Sequence, residues 1–366
     1  MEITRLCRVP ISRVGHMRAW QVQSPTDSLQ LKTVPIPILL KPNQVLINVK
    51  AASVNPVDIL MVKGYGSTIL GAWKRMAEYD SSANRFPLIP GRDCAGVVDL
   101  VGGNVKEITP GDKVMAVIPA ISQGSHSEYV VTEDSCCSAM PSNLKFAEAA
   151  AMPYVANTAW AALVSVARIN PRFKPSERVL IHGGAGGVGT MAIQMLKAWG
   201  TEKVVATCSA NSIEMIRRLG AIPVDYESRN ARDQLIAEGP FEVVLDCVDS
   251  DLARWSDKIM GVWRNSVHVS VVTPLLKETD LRGLLPGLAS TAVKHLCRSY
   301  KSALRGRWFS YAFFVPNKEC MLQLSQFAEE GKIVPIVEQA YPFEELPKAY
   351  EKVSALHGRG KTVLTW

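Results

Sequence analysis

Cysteine is sparse in this chain, with eight in 366 residues and none in a C-x-x-C pair. A disulfide scaffold and a zinc knuckle, whose ligands recur at short fixed spacing, are excluded. The adjacent Cys136 and Cys137 do not supply such a knuckle, and Cys208 and Cys247 sit inside apolar runs. We read the thiols as free and buried, in a reducing compartment, cytosol or mitochondrial matrix. Excess charge is also small: 41 Lys and Arg against 34 acids, a net of +7, too little to argue for a nucleic-acid partner. Gly (25) and Pro (22) are ordinary in number, and no internal repeat is visible, so collagen-like and low-complexity classes drop out. With 47% hydrophobic and 20% charged residues the chain is not disordered, and its length suits two domains.

Some absences are local. No acid falls between Glu2 and Asp27, where Arg5, Arg8, Arg13 and Arg18 lie. Residues 1–17 read either as a mitochondrial transit segment or as a basic tail; without a continuous apolar core they are not a secretory signal. Ala149–Ala167 carries no charge, but it is Ala-rich and contains Pro153 and Asn157, so it reads as a buried connector and helix rather than a membrane span.

What is present follows a clear order. From Arg18 to Pro141, short strand-like runs (Gln44–Val49, Ala95–Val101, Lys113–Ile118, His126–Val131) alternate with turn signals such as Pro110-Gly111-Asp112, as in a small β barrel or sandwich. After Ala149 strands alternate with helices: Arg178–His182, Gly187–Trp199, Val204–Cys208, Ser212–Leu219, Phe241–Asp246 and Val267–Val272. That rhythm predicts right-handed βαβ units and a parallel sheet. Beyond Cys320 the pattern predicts a helix (Cys320–Glu330), the run Lys332–Gln339, a helix (Phe343–Leu356) and a strand (Lys361–Thr365).

The chemical signal is the run His182-Gly183-Gly184-Ala185-Gly186-Gly187-Val188-Gly189. Gly184, Gly186 and Gly189 fit G-x-G-x-x-G directly between a strand and a helix, the context of a dinucleotide loop. The first glycine is expected to make the turn, the second to admit a pyrophosphate and the third to let helix and strand pack closely. No Gly-Lys-Ser/Thr follows, so a Walker loop is excluded. An NAD site places a carboxylate at the end of the second strand; here Val204–Cys208 ends in Ser209-Ala210-Asn211-Ser212, with Arg217 and Arg218 on the next helix. The 2′-phosphate-bearing cofactor, NADPH, is favoured, with Glu214 the nearest contrary residue.

At this point the chain resembles the quinone oxidoreductase branch of the medium-chain dehydrogenase/reductases across nearly its whole length. Ala51–Asp58, Gly64-Tyr65-Gly66, Pro90-Gly91-Arg92-Asp93, Pro153-Tyr154-Val155-Ala156, Tyr311-Ala312-Phe313-Phe314 and His357–Val363 carry the resemblance. It implies an α/β fold, a GroES-like β-barrel domain (18–150) and a Rossmann doubly wound parallel sheet (151–319), with a return segment (320–366) completing the barrel and a cleft between the two. It implies a zinc-free site, since zinc-dependent members carry His-Glu where Arg92-Asp93 stands. It places Asn55 and Tyr65, with Lys63, along the nicotinamide cleft. It assigns Ala185, Gly187 and Val188 to the phosphates, Ser209 and Tyr226 to the adenosine phosphate, and Val248 and Val272 to ribose and nicotinamide. Ala312, Phe314, His357, Gly358 and Arg359 would close over the cofactor. The expected reaction is hydride transfer from NADPH to a quinone-like or conjugated carbonyl acceptor in mitochondria, with a role in ubiquinone biosynthesis and oxidative-stress resistance. The competing class is a cofactor-binding protein acting through a reticulon-type membrane partner.

One basic segment stands outside this scheme. From Arg282 to Lys318 there are seven basic residues and no acid, and Ala292–Leu304 has helical apolar spacing. It reads as a solvated helix face or as a peripheral membrane contact.

Overall fold

The structure, a computed structural model, describes residues 15–78, 84–262, 266–356 and 358–366. The transit reading of 1–17 therefore falls almost wholly outside the described residues, as do Cys7 and His357.

The chain builds two large sheets. In the first, the long strand Gln44–Val54 is central. It pairs antiparallel with Asp93–Val101 on one side, and with Tyr129–Glu133 and Lys361–Thr365 on the other. Its register against Asp93–Val101 shifts twice, between Leu46 and Ile47 and between Val49 and Ala51, which bends the strand and curls the sheet. Lys113–Val117 and Cys137–Ala139 extend it, and Val337–Pro342 runs parallel to Lys361–Thr365 at the other edge. The last strand of the chain is thus inserted beside an early one. His126 and Ser127, expected in a strand, precede the observed one and are buried, and within the run Lys332–Gln339 a strand begins at Val337.

The second sheet is wholly parallel. Its six strands lie in the order Ile222–Asp225, Val204–Cys208, Val179–His182, Val243–Asp246, Val267–Ser270, Trp308–Tyr311. Val179–His182 and Val243–Asp246 are buried at every position, as parallel strands covered on both faces must be. The strand order reverses between these two, which opens a crevice at their carboxyl ends.

A shared core joins the sheets. It runs from Ala95 and Met115 through Met152 and Val155 to Ile181, Met191 and Leu196. Among the described residues the one helical stretch long and apolar enough to span a membrane is Phe146–Val166, and 72% of its most apolar window is buried inside the protein. Trp160 from this stretch meets Trp199 edge to face, ring centroids 6.0 Å apart. Cys94, Cys136, Cys137, Cys208 and Cys320 are buried free thiols, Cys247 is half-buried and Cys297 is exposed.

Two carboxylates offset part of the basic segment's charge, and other cations in it are engaged by neutral groups. Arg282 and Lys294 pair with Glu278, Lys318 pairs with Glu107, Arg307 donates to the carbonyl of Asp257, and Arg298 stacks 3.8 Å over the Phe309 ring. The helix itself, Leu284–Ala303, exposes Leu285, Val293, Leu296 and Tyr300. What it offers the solvent is an apolar stripe more than a positive one.

Candidate functional site: a cleft between two sheets

The Gly-rich loop leaves the carboxyl end of Val179–His182 and enters the helix Gly187–Ala198. Close approach explains two of its glycines. A Cβ on Gly189 would lie 2.2 Å from the carbonyl oxygen of Gly183, and one on Gly184 would lie 2.7 Å from the Cβ of Ala206 in the neighbouring strand. The turn expected at Gly184 has its left-handed residue one earlier, at Gly183 with φ +80°. Gly186 precedes the helix with no side chain to cap it. The first-turn N–H groups of Gly187, Val188 and Gly189 have no acceptor within the helix, and a Cβ on Gly186 would meet only the carbonyl oxygen of Gly183, at 3.5 Å. A helix start with free donors and a positive dipole end fits a pyrophosphate. Ala185 accepts from Gly360 N at 3.0 Å, so the return segment lies against the loop.

The neighbouring strand end forms the next part. Ser209 is half-buried at the carboxyl end of Val204–Cys208, its hydroxyl 3.4 Å from that of Ser212. Tyr226 is exposed, its backbone N–H donating to Cys208 O. Arg218 does not point to this corner as a free cation, because it pairs with Glu214 one helical turn back. Arg359 does reach it, donating from Nη1 to Asn211 O at 3.4 Å. Gly358 and Arg359 are both exposed there.

Along the crevice, Val248 and Val272 follow the fourth and fifth strands and are half-exposed. A Cβ on Gly183 would touch Val248 at 2.8 Å, which places Val248 on the loop. Ala312 is buried, its N–H donating to Ser270 O. Phe314 packs on Tyr154 with ring centroids 4.5 Å apart.

Beneath this wall lies a buried ionic network that joins the two sheets. Asp93 accepts from Ser53 Oγ (2.5 Å), Asn55 Nδ2 (3.1 Å) and Tyr154 N (3.1 Å). Asn55 is 1% exposed, caps the helix Pro56–Val62, and its Oδ1 accepts from Lys361 Nζ. Both ends of its amide are thus held by protein groups. Lys361 was not singled out by sequence, yet its stem passes the nucleotide helix: a Cβ on Gly187 would lie 2.9 Å from Lys361 Cδ. Burial pulls the lysine pKa down and pushes those of Asp93 and Asp58 up, while mutual attraction opposes both shifts. Asp58 lies 3.8 Å from buried Arg92, which donates to the carbonyls of Pro119, Ser122 and Ile89. His126 bridges Ser53 O and Tyr350, and burial lowers its pKa to about 4.

Tyr65 is half-buried above this floor, its phenol pKa raised by burial and then by Asp280. Lys63 is exposed. Among the described residues no three His, Cys, Asp or Glu side chains converge as a metal site.

Two family descriptions match the chain: "Alcohol dehydrogenase GroES-like domain" over residues 41–142 and "Zinc-binding dehydrogenase" over residues 219–364. The chain is 60% identical over 350 residues to "Reticulon-4-interacting protein 1, mitochondrial" of Caenorhabditis elegans, covering 96% of this chain and 95% of that protein. It is 39% identical to "NAD(P)H oxidoreductase RTN4IP1, mitochondrial" of Homo sapiens, covering 90% and 83%. Among solved structures, the quinone oxidoreductase from Coxiella burnetii superposes with a TM-score of 0.74 at 28% identity, over 96% of this chain and 100% of that one.

Proposed function

This chain belongs to the medium-chain dehydrogenase/reductase superfamily, among the NAD(P)H oxidoreductases just described, and from that premise we propose that it is a mitochondrial, zinc-independent, NADPH-dependent reductase of quinone-like or conjugated carbonyl acceptors. That it is an oxidoreductase using a nicotinamide cofactor follows from the family. The choice of NADPH, the acceptor class and a place in ubiquinone biosynthesis and oxidative-stress resistance are our reading.

The observation that carries it is the corner where Gly187–Gly189, Ser209 and Arg359 meet. The loop would hold the pyrophosphate on unpaired N–H groups. Ser209 and Arg359 would hold a 2′-phosphate, and no carboxylate at the strand end would repel it. Val248, Val272, Ala312 and Phe314 would line the path to the nicotinamide. Bound there, the cofactor supplies the hydride. The protein's task is to hold the acceptor against the cleft, exclude water and supply positive charge or a proton where an oxyanion develops. Tyr65, half-buried and assigned to the cleft by the resemblance, is our candidate for that last role; Asn55, with both amide ends engaged, orients Asp93 and Lys361.

A binding role with a reticulon-type membrane partner is suggested only by a relative's name. The intact loop argues against a scaffold without cofactor; turnover is what separates the enzyme from a cofactor-binding partner protein. A membrane contact through 282–318 would rest on the apolar stripe of Leu284–Ala303 rather than on charge. The test is NADPH oxidation by the purified protein against a panel of quinones and enals. Turnover with members of either class is expected; none with any of them overturns the reading.

A further inference from the structure

Arg85 is 7% exposed, and none of its three guanidinium nitrogens has a hydrogen-bond partner among the described residues. Five N–H donors held away from water without an acceptor carry a heavy desolvation penalty, which an arriving anion would relieve. Burial, and then repulsion from Arg92, pull its pKa down to about 10, and Asp280 nearby raises it. Asp280 is nevertheless engaged: Oδ2 accepts from Gly66 N at 2.5 Å and Oδ1 from Thr68 N at 3.0 Å, at the start of the helix Ser67–Glu78.

The position is informative. Arg85 Nη1 lies 3.4 Å from where a Cβ on Gly66 would stand, and Leu276 closes in on the same point at 3.4 Å. Gly66 follows Tyr65 in the turn between the helices Pro56–Val62 and Ser67–Glu78. Leu276 belongs to Leu275–Arg282, the helix that begins just past Val272 at the carboxyl end of the fifth strand. The unpaired cation therefore sits at the seam where the two halves of the cleft meet.

We propose that Arg85 anchors an anion subsite at the acceptor end of the cleft, and that the preferred acceptors carry a carboxylate. A planar guanidinium offers a carboxylate two parallel N–H groups, a match no neutral oxygen equals. The subsite rests on the reading of this cleft as an acceptor site. Its ligand enters when the Gly64–Thr68 loop and the Leu275–Arg282 helix part, a seam held by the two hydrogen bonds to Asp280.

The test separates the two ideas. Binding of 2-naphthoate and of its methyl ester, neither of which needs to be reduced, is measured by calorimetry on wild type and on Arg85→Met. The acid should bind wild type about 10-fold or more tightly than the ester, and the variant should lose that preference. The unliganded variant should melt no lower than wild type, since methionine fills the space without a buried charge. Equal binding of acid and ester to wild type overturns the proposal. So does a variant that melts lower yet keeps the acid preference, which would make Arg85 structural. Turnover of an uncharged naphthoquinone, followed separately, tests the oxidoreductase reading alone.

Discussion

Ser209 is where the choice between two cofactors would be made, and its effect rests on a charge that is missing. A carboxylate there would accept from ribose hydroxyls and repel a 2′-phosphate. One charge-assisted hydrogen bond contributes roughly 1.5–3 kcal/mol, and each 1.4 kcal/mol is about tenfold, so wild type should prefer NADPH over NADH by about 10- to 100-fold. Ser209→Asp should erase or reverse that preference. Both cofactors are titrated into both proteins at one salt concentration, because screening weakens the effect; equal wild-type affinities, or an unchanged variant, would sink it. Ser209 was legible because its place is fixed by counting from the glycine loop. The accompanying cation was legible only in part. Arg218 is near in sequence, but helical geometry turns it onto Glu214, while Arg359, which the resemblance assigns to closing over the cofactor and not to this corner, arrives from 150 positions later through the return segment. Lys361 escaped for a similar reason. A lysine heading a terminal strand usually faces solvent, and only the pairing of that strand with Gln44–Val54 buries it over Asn55.

At the scale of the element, the strand, loop and helix from Val179 to Ala198 were readable as one unit because glycine spacing and apolar periodicity agree. The division of labour among the glycines was less readable: sequence cannot show that Gly183 rather than Gly184 takes the left-handed turn, nor that the limit at Gly184 is the Cβ of Ala206. Gly187→Asp tests the loop. The new carboxylate would enter beside the helix start, within reach of Lys361, and would occupy and charge the space proposed for the pyrophosphate. Dinucleotide affinity should fall at least about 100-fold, equal to about 2.7 kcal/mol, while circular dichroism stays near wild type and melting falls modestly, since Lys361 Cδ at 2.9 Å and Val155 Cγ1 at 3.1 Å must give way. A variant that binds NADPH with unchanged affinity would show that the phosphates lie elsewhere.

The whole molecule is interleaved: the chain begins the curled sheet, leaves it to build the parallel one, and returns to place Lys361–Thr365 beside Gln44–Val54. The order of β-rich, α/β and closing segments was visible in sequence; the strand that carries Lys361 into the cleft depends on long-range pairing that no local pattern reports. That closure makes the cleft floor a network of organic ions. Arg92 holds three carbonyls and lies beside Asp58, and Asp93 accepts from Ser53, Asn55 and Tyr154. A zinc site needs Cys, His or carboxylate groups converging in tetrahedral geometry. Here the carboxylate at the relevant position is already saturated by donors, its neighbour is a cation that would repel a metal, and no third ligand converges among the described residues. Exhaustive dialysis against a strong chelator should therefore leave the melting temperature, NADPH affinity and turnover unchanged. Zinc retained at one per chain, with activity lost on its removal and restored by zinc alone, would mean that the network rearranges to make a ligand set that this geometry does not hold.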